Sequence, residues 1–143
     1  SKFVPFTCER TEFYNPGDSK ITRWERIIKE ATEQSGRSLV PELSQTIEFS
    51  NLIANLSPVA LIPWEEEKKG SIAGILSELH QNQSMKGSSV DIVIGPVGGF
   101  TSQEVSDAVE NGAISVSLGG RILRAETAGI VAAVSVLYEF KAM

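Results

Sequence analysis

The sequence predicts an α/β fold, a mostly parallel sheet with helices on both faces. Three observations carry that prediction. Short apolar runs, VALIPW, SVDIVIG and AISVSLG, alternate with stretches of helical periodicity. Each run is apolar nearly throughout rather than on alternate residues, the mark of a strand covered on both sides, as in parallel sheets. Two of the runs end in glycine loops, GPVGGF and LGGRILR, that lead directly into helical patterns. Such loops stand where parallel α/β sheets bind their ligands, beyond the carboxyl ends of the strands.

Taken in order, the chain opens with the strand-like FVPF. KITRWERIIKEATEQSGR follows as an amphipathic helix, with Trp24, Ile27, Ile28 and Ala31 at i, i+3, i+4 and i+7 and Gly36 placed to end it. FSNLIANL is a short helix or helical turn, and Pro58 separates it from VALIPW. Ile72, Ile75, Leu76 and Leu79 then take helical spacing. After SVDIVIG, Thr101 and Glu104 form a capping box for a helix whose Val105, Ala108 and Val109 share a face and which Gly112 closes. AISVSLG precedes a last helix from about Arg124 to Phe140. That helix is apolar over most of its circumference, so one sheet face does not bury it all. A second surface, most simply another subunit, is expected.

The 143 residues are enough for one domain with a core, and no repeat or linker divides them. No apolar run approaches the roughly 20 residues of a membrane span. A single cysteine, Cys8, excludes an internal disulfide, and one cysteine with one histidine disfavours a Cys/His zinc site. No metal is expected, and the location is read as cytoplasmic. The net charge of -5 argues against an autonomous nucleic-acid binder. The charge is uneven, however: seven of the thirteen basic residues fall in the first 37 positions. Arg23, Arg26 and Lys29 are interleaved with glutamates and read equally as a salt-bridged helix face.

Three strand ends, after Leu61, Ile94 and Val116, suggest a pocket for a small polar cofactor. Glycine there admits a ligand to the main chain, and the helix opening at Thr101 offers unpaired N–H groups. Neither glycine loop is a phosphate cradle of the P-loop or GxGxxG kind, so nucleotide hydrolysis is disfavoured. Glu126 suits the first turn of a helix. Arg124, a cation near the same helix N-terminus, calls for an anion, and a structural salt bridge is the competing reading. Arg121 and Arg124 are therefore candidates for a phosphate, a carboxylate or a base. His80 and WEEEKK read as solvated, Cys8 as a small core or near-surface residue, and Trp64 as core packing.

The stretches VPFTCERTEF, RWERIIKEATEQSGRSLVP, IGPVGGFTSQEV and SLGGRILRAETA cover nearly the whole chain. In this order they resemble the RsmE family of ribosomal RNA uridine-N3 methyltransferases, of the SPOUT superfamily. The resemblance implies a deep C-terminal trefoil knot, an exception to the rule against threaded chains. It implies S-adenosylmethionine held by Leu61, Ile62, Pro63, Ile94, Gly95, Pro96, Gly98, Gly99, Leu118, Gly119, Ile122 and Leu123. A homodimer with its active site at the subunit interface, and ribosomal RNA or the small subunit as substrate, are likewise implied. Arg124 is expected to stabilise charge developing on the uracil, with Glu126 positioning it or assisting proton removal. Arg10, Arg23 and Arg121 are expected to contact RNA.

Two departures accompany the match. It begins at what reads as the domain's second strand, so residues 1–143 are expected to form the methyltransferase domain without its first strand and helix, and without the family's N-terminal PUA-like domain. The family loop usually reads GPEGG, and Val97 stands here in place of the glutamate. Alternatives are a SPOUT relative acting on another RNA, or a homologue that binds RNA or protein with catalysis impaired, which Val97 favours.

Overall fold

Strand β5, Val59–Pro63, is the apolar run VALIP, and its first four residues are buried. The computed structural model describes residues 1–12, 16–82 and 89–140. Within it β5 is the middle strand of a three-stranded parallel sheet of order β6-β5-β7, with β6 at Val90–Ile92 and β7 at Ala113–Val116. Helix α3, Ile72–Gln81, crosses from β5 to β6, and α4, Ser102–Glu110, from β6 to β7. Helix α5, Ala125–Glu139, closes the chain's described part. The core gathers Val59 and Leu61 of β5, Ile72 and Leu76 of α3, Val116 of β7, and Ala132 and Val136 of α5. Ala60 and Ile62, on the opposite face of β5 by strand alternation, are fully buried outside that cluster. The middle strand is thus covered on both faces, as its uninterrupted apolar character requires.

The chain divides into two compact units, Ser1–Leu52 and Ile53–Met143, where the sequence reads as a single unit. In the first unit FVPF is not one strand. Strand β1, Lys2–Phe3, and strand β2, Phe6–Thr7, flank Val4 and Pro5, and Pro5 has no N–H to give a ladder. They pair in parallel with β3, Glu42–Leu43, and β4, Ile47–Glu48, strands of two residues that carry no readable periodicity. Helix α2, Phe49–Ile53, follows directly.

Helix α1, Gly17–Gln34, is the expected amphipathic helix, but its inward line is rotated. Ile21, Trp24 and Ile28 are half-buried and Thr32 is buried, while Ile27 and Ala31 are exposed. Thr32 is sheltered because its hydroxyl donates to the Ile28 carbonyl at 2.7 Å, so its polarity is satisfied within its own helix. Arg26–Glu30 (3.6 Å) and Lys29–Glu33 (3.9 Å) pair along the outer face, so that face is laced by salt bridges.

The capping box of α4 is formed as the sequence predicts. Thr101 Oγ1 accepts from the Glu104 N–H at 3.2 Å, and Glu104 Oε2 accepts from the Thr101 N–H at 2.9 Å. These bonds allow Glu104 to be buried beside Val105 and Ala108. Val109, expected on that face, is 47% exposed instead. Glycines with φ of +66° and +96°, Gly36 and Gly112, follow α1 and α4 where the sequence puts their ends.

Candidate functional site

The second unit carries a cavity of about 540 Å³ at the carboxyl ends of β5 and β7. One wall is the segment after β5, from Pro63 and Trp64 to Ser71. The other is the loop after β7, Ser117 to Leu123, with Ala128 of α5 behind it. Of the residues expected to hold a cofactor, Pro63, Leu118, Gly119, Ile122 and Leu123 line it, as does Arg121. Leu61 and Ile62 do not, since their side chains are wholly buried in the sheet. Ile94, Gly95, Pro96, Gly98 and Gly99 also lie outside this lining. The glycines of the β7 loop are open to the cavity: a Cβ on Gly119 or Gly120 would meet nothing within 4 Å, and Gly119 has φ +123°.

In the loop after β6, the chain's own groups come close to the glycines. A Cβ on Gly95 would stand 3.1 Å from the Phe100 ring. A Cβ on Gly99, where φ is +68°, would stand 2.6 Å from Glu65 Oε1. Gly99 donates to the Pro96 carbonyl at 2.9 Å to close the turn. The close approach read from GPVGG is therefore occupied in part by Phe100 and by the carboxylate of Glu65, a cavity-lining residue. Val97 is 86% exposed in that loop, and its side chain offers no polar group to a ligand.

Arg124 is the N-cap residue of α5, in extended conformation, and its carbonyl accepts the first helical bond from Ala128 at 2.8 Å. Its side chain is exposed and makes no ion pair among the described residues, so the competing salt-bridge reading gains no partner. Glu126 is exposed in the first turn of α5 and forms no ion pair with Arg124, as expected of residues two apart on a helix. Neither lines the cavity. Arg10 and Arg23, both exposed, belong to the first unit.

Three residues have more structure than their sequence context indicates. Glu67, in the apparently solvated WEEEKK, accepts from the N–H groups of Lys69 (2.7 Å) and Gly70 (3.0 Å) through one oxygen. The Gly70 bond, then that of Lys69, holds its carboxyl below the usual carboxylate range. His80, also read as solvated, stacks on Phe140 at 5.6 Å and sets Nδ1 3.3 Å from Glu139 Oε1. Trp64, read as core packing, is half-buried, lines the cavity, and has its indole Nε1 buried without a hydrogen-bond partner among the described residues. Cys8 is buried, within the range its sequence context allows.

A parallel α/β unit with a glycine loop lining a cavity at its strand ends has the form of a small-ligand-binding domain. The chain belongs to the RNA methyltransferase domain family, whose model matches residues 1–137. This bears out the family drawn from the motifs. The chain is similar to the ribosomal RNA small subunit methyltransferase E of Bacillus subtilis (strain 168), at 34% identity over 96% of this chain and 55% of that one. It is 37% identical to the protein of the same name from Rickettsia conorii over 92% of this chain and 51% of that one. It thus spans about half the length of these relatives. Among solved structures, a putative methyltransferase of Legionella pneumophila in complex with SAM aligns at a TM-score of 0.77 and 27% identity. The methyltransferase E of Neisseria gonorrhoeae bound to S-adenosyl methionine aligns at 0.73 and 29%. Each covers 96% of this chain, which covers 55% of each.

Proposed function

We propose that this chain is a catalytic domain that binds S-adenosylmethionine and transfers its methyl group to uridine N3 of small-subunit ribosomal RNA, working as a homodimer in the cytoplasm. The observation that carries the reading is the cavity between the segment after β5 and the glycine loop after β7, in a chain of this family. Its volume suits a cofactor-sized ligand. The residues fit the group: an indole N–H buried without a partner among the described residues stands in one wall, and the other wall exposes glycine main chain. Pro63, Leu118, Gly119, Ile122 and Leu123 would hold the cofactor, whose activated methyl group is the chemistry it supplies when bound. Gly95 to Gly99 would complete the cradle from the β6 side, with Phe100 and Glu65 fixing the shape of that loop.

The chain's own part in the reaction is to orient the base and carry charge. Arg124, exposed and without an ion partner among the described residues, would stabilise the negative charge that develops on the uracil as N3 loses its proton. Glu126, not paired to Arg124 here, would assist as acceptor or hold the base. Arg121 at the cavity rim, with Arg10 and Arg23 of the first unit, would meet RNA phosphates.

A knotted path belongs to the same reading. The Trp64 N–H donates to the Val116 carbonyl at 3.0 Å on one edge of the extended β7 segment. On the other edge Ser117 donates to the Gly70 carbonyl at 2.7 Å and accepts from the Ile72 N–H at 3.0 Å. Chain leaving β5 thus bonds both edges of residues 116–117, which supports passage of the later chain through the earlier loop.

Titration calorimetry with S-adenosylmethionine, paired with a tritiated-methyl assay on undermethylated small subunits, tests the proposal. Arg124→Ala is expected to abolish transfer and leave cofactor affinity within about threefold of wild type, as for a charge used only in the transition state. Full activity of that variant removes Arg124 from the mechanism. Cofactor binding without transfer to any RNA would favour a binding homologue.

A further inference from the structure

The segment Trp64 to Ser71 holds three glutamates and two lysines, and its composition alone predicts a solvated turn. It is instead organised around a single oxygen. Glu67 Oε1 accepts from Lys69 N at 2.7 Å and Gly70 N at 3.0 Å, and the Glu67 N–H itself donates to the Trp64 carbonyl at 3.2 Å. Those bonds curl the segment so that the Gly70 carbonyl faces β7. Gly70 then accepts from Ser117 N at 2.7 Å, and Ser117 accepts from Ile72 N at 3.0 Å. A Cβ at position 70 would stand 3.0 Å from the Ser115 carbonyl oxygen, tight enough that the neighbouring backbone would have to give way.

Glu67 and Lys69 line one wall of the cavity, and Ser117 begins the other. The path from one carboxylate oxygen to the opposite wall is therefore a turn and one hydrogen bond. The neighbouring Glu66 is exposed, and its carboxylate makes no hydrogen bond or ion pair among the described residues.

We infer that Glu67 is a positioning residue of the cavity: its oxygen fixes the Lys69–Gly70 turn, the turn fixes Ser117, and Ser117 fixes the mouth of the Leu118–Leu123 loop. The inference rests on reading the cavity as the cofactor site. Its physical content is preorganisation. A loop already held in its binding conformation does not pay the ordering entropy when ligand arrives. The role needs an acceptor where both N–H groups converge on one oxygen, and the negative charge strengthens both bonds. A neutral amide oxygen at the same reach keeps the turn with weaker bonds.

Calorimetry with S-adenosylmethionine on the full chain, alongside amide exchange at Gly70 and Ser117, tests this. Glu67→Ala is expected to weaken cofactor binding about tenfold, the scale of one charge-assisted hydrogen bond lost, and to speed exchange at both amides. Glu67→Gln should stay within about threefold of wild type with protection kept, and Glu66→Ala should match wild type. The inference falls if Glu67→Ala binds like wild type, including the case where only its melting temperature drops. It falls equally if Glu67→Gln is as weak as Glu67→Ala with exchange unchanged, which would make the carboxylate a direct ligand contact. Failure of the wild type to bind removes the cofactor reading and this inference together, an outcome distinct from either of those.

Discussion

Glu67 also ties the cavity to pH. Backbone N–H groups favour its charged form, so its carboxyl in the folded protein titrates below the value of an unfolded chain. The sign of the linkage follows. The carboxylate's contribution is fully present above the ordinary glutamate range and is lost as pH falls through the depressed folded-state value. Amide protection of Lys69 and Gly70 should therefore hold from neutral pH down through the ordinary carboxylate range and decline only in stronger acid. In Glu67→Gln, which has no proton to gain, that acid-side decline should flatten. Exchange measured across the acid range checks it, and an equal decline in both proteins would sink the assignment. The glycines make a related point. Gly95 and Gly99 were legible as places where something comes close. That the close groups include Phe100 and Glu65 was not, because Glu65 reaches Gly99 from a loop far away in the sequence.

Among the elements, α4 shows which features a sequence exposes and why. Its capping box lies within four residues, so the letters Thr101 and Glu104 sufficed to predict it, and both reciprocal bonds are formed. Thr101→Ala should lower stability by about 1 kcal/mol, the usual cost of losing such a cap. Thermal or urea unfolding measures this, and an unchanged midpoint would mean that the cap is not used. Less local features were not readable. The two-residue strands β3 and β4 exist only through pairing with β1 and β2, and two residues show no alternation. The inward line of α1 turned on Thr32, a polar letter that becomes buriable once its hydroxyl bonds back to Ile28. The order in WEEEKK starts from Glu67 Oε1, and the Gly70 carbonyl it presents meets Ser117, which lies far along the chain. The cavity wall was thus half visible: the glycine loop announced itself, and its charged counterpart did not.

At the scale of the whole molecule, the outer face of α5 calls for a covering surface. Ala132 and Val136 of this helix fill the core, yet Ile130, Val134, Leu137 and Tyr138 are exposed, Ile130 by 66% and Tyr138 by 74%. These four sit at i, i+4, i+7 and i+8, a single stripe on the side away from the core. A helix apolar on both sides has two surfaces to bury, and the sheet covers one. The repulsion from a net charge of -5 per chain is modest beside the burial such a stripe provides. A second copy presenting the same stripe is the self-complementary partner that the proposed homodimer requires. Ile130→Asp combined with Val134→Asp alters only exposed side chains, so each subunit should fold with its core intact. Sedimentation should then show wild type as a dimer and the double variant as a monomer. If the site needs residues of two subunits, the same variant should lose methyl transfer by at least about tenfold, the scale of an active-site arrangement no longer held in place. A monomeric wild type, or a dimer that tolerates both aspartates, would move the interface off this helix.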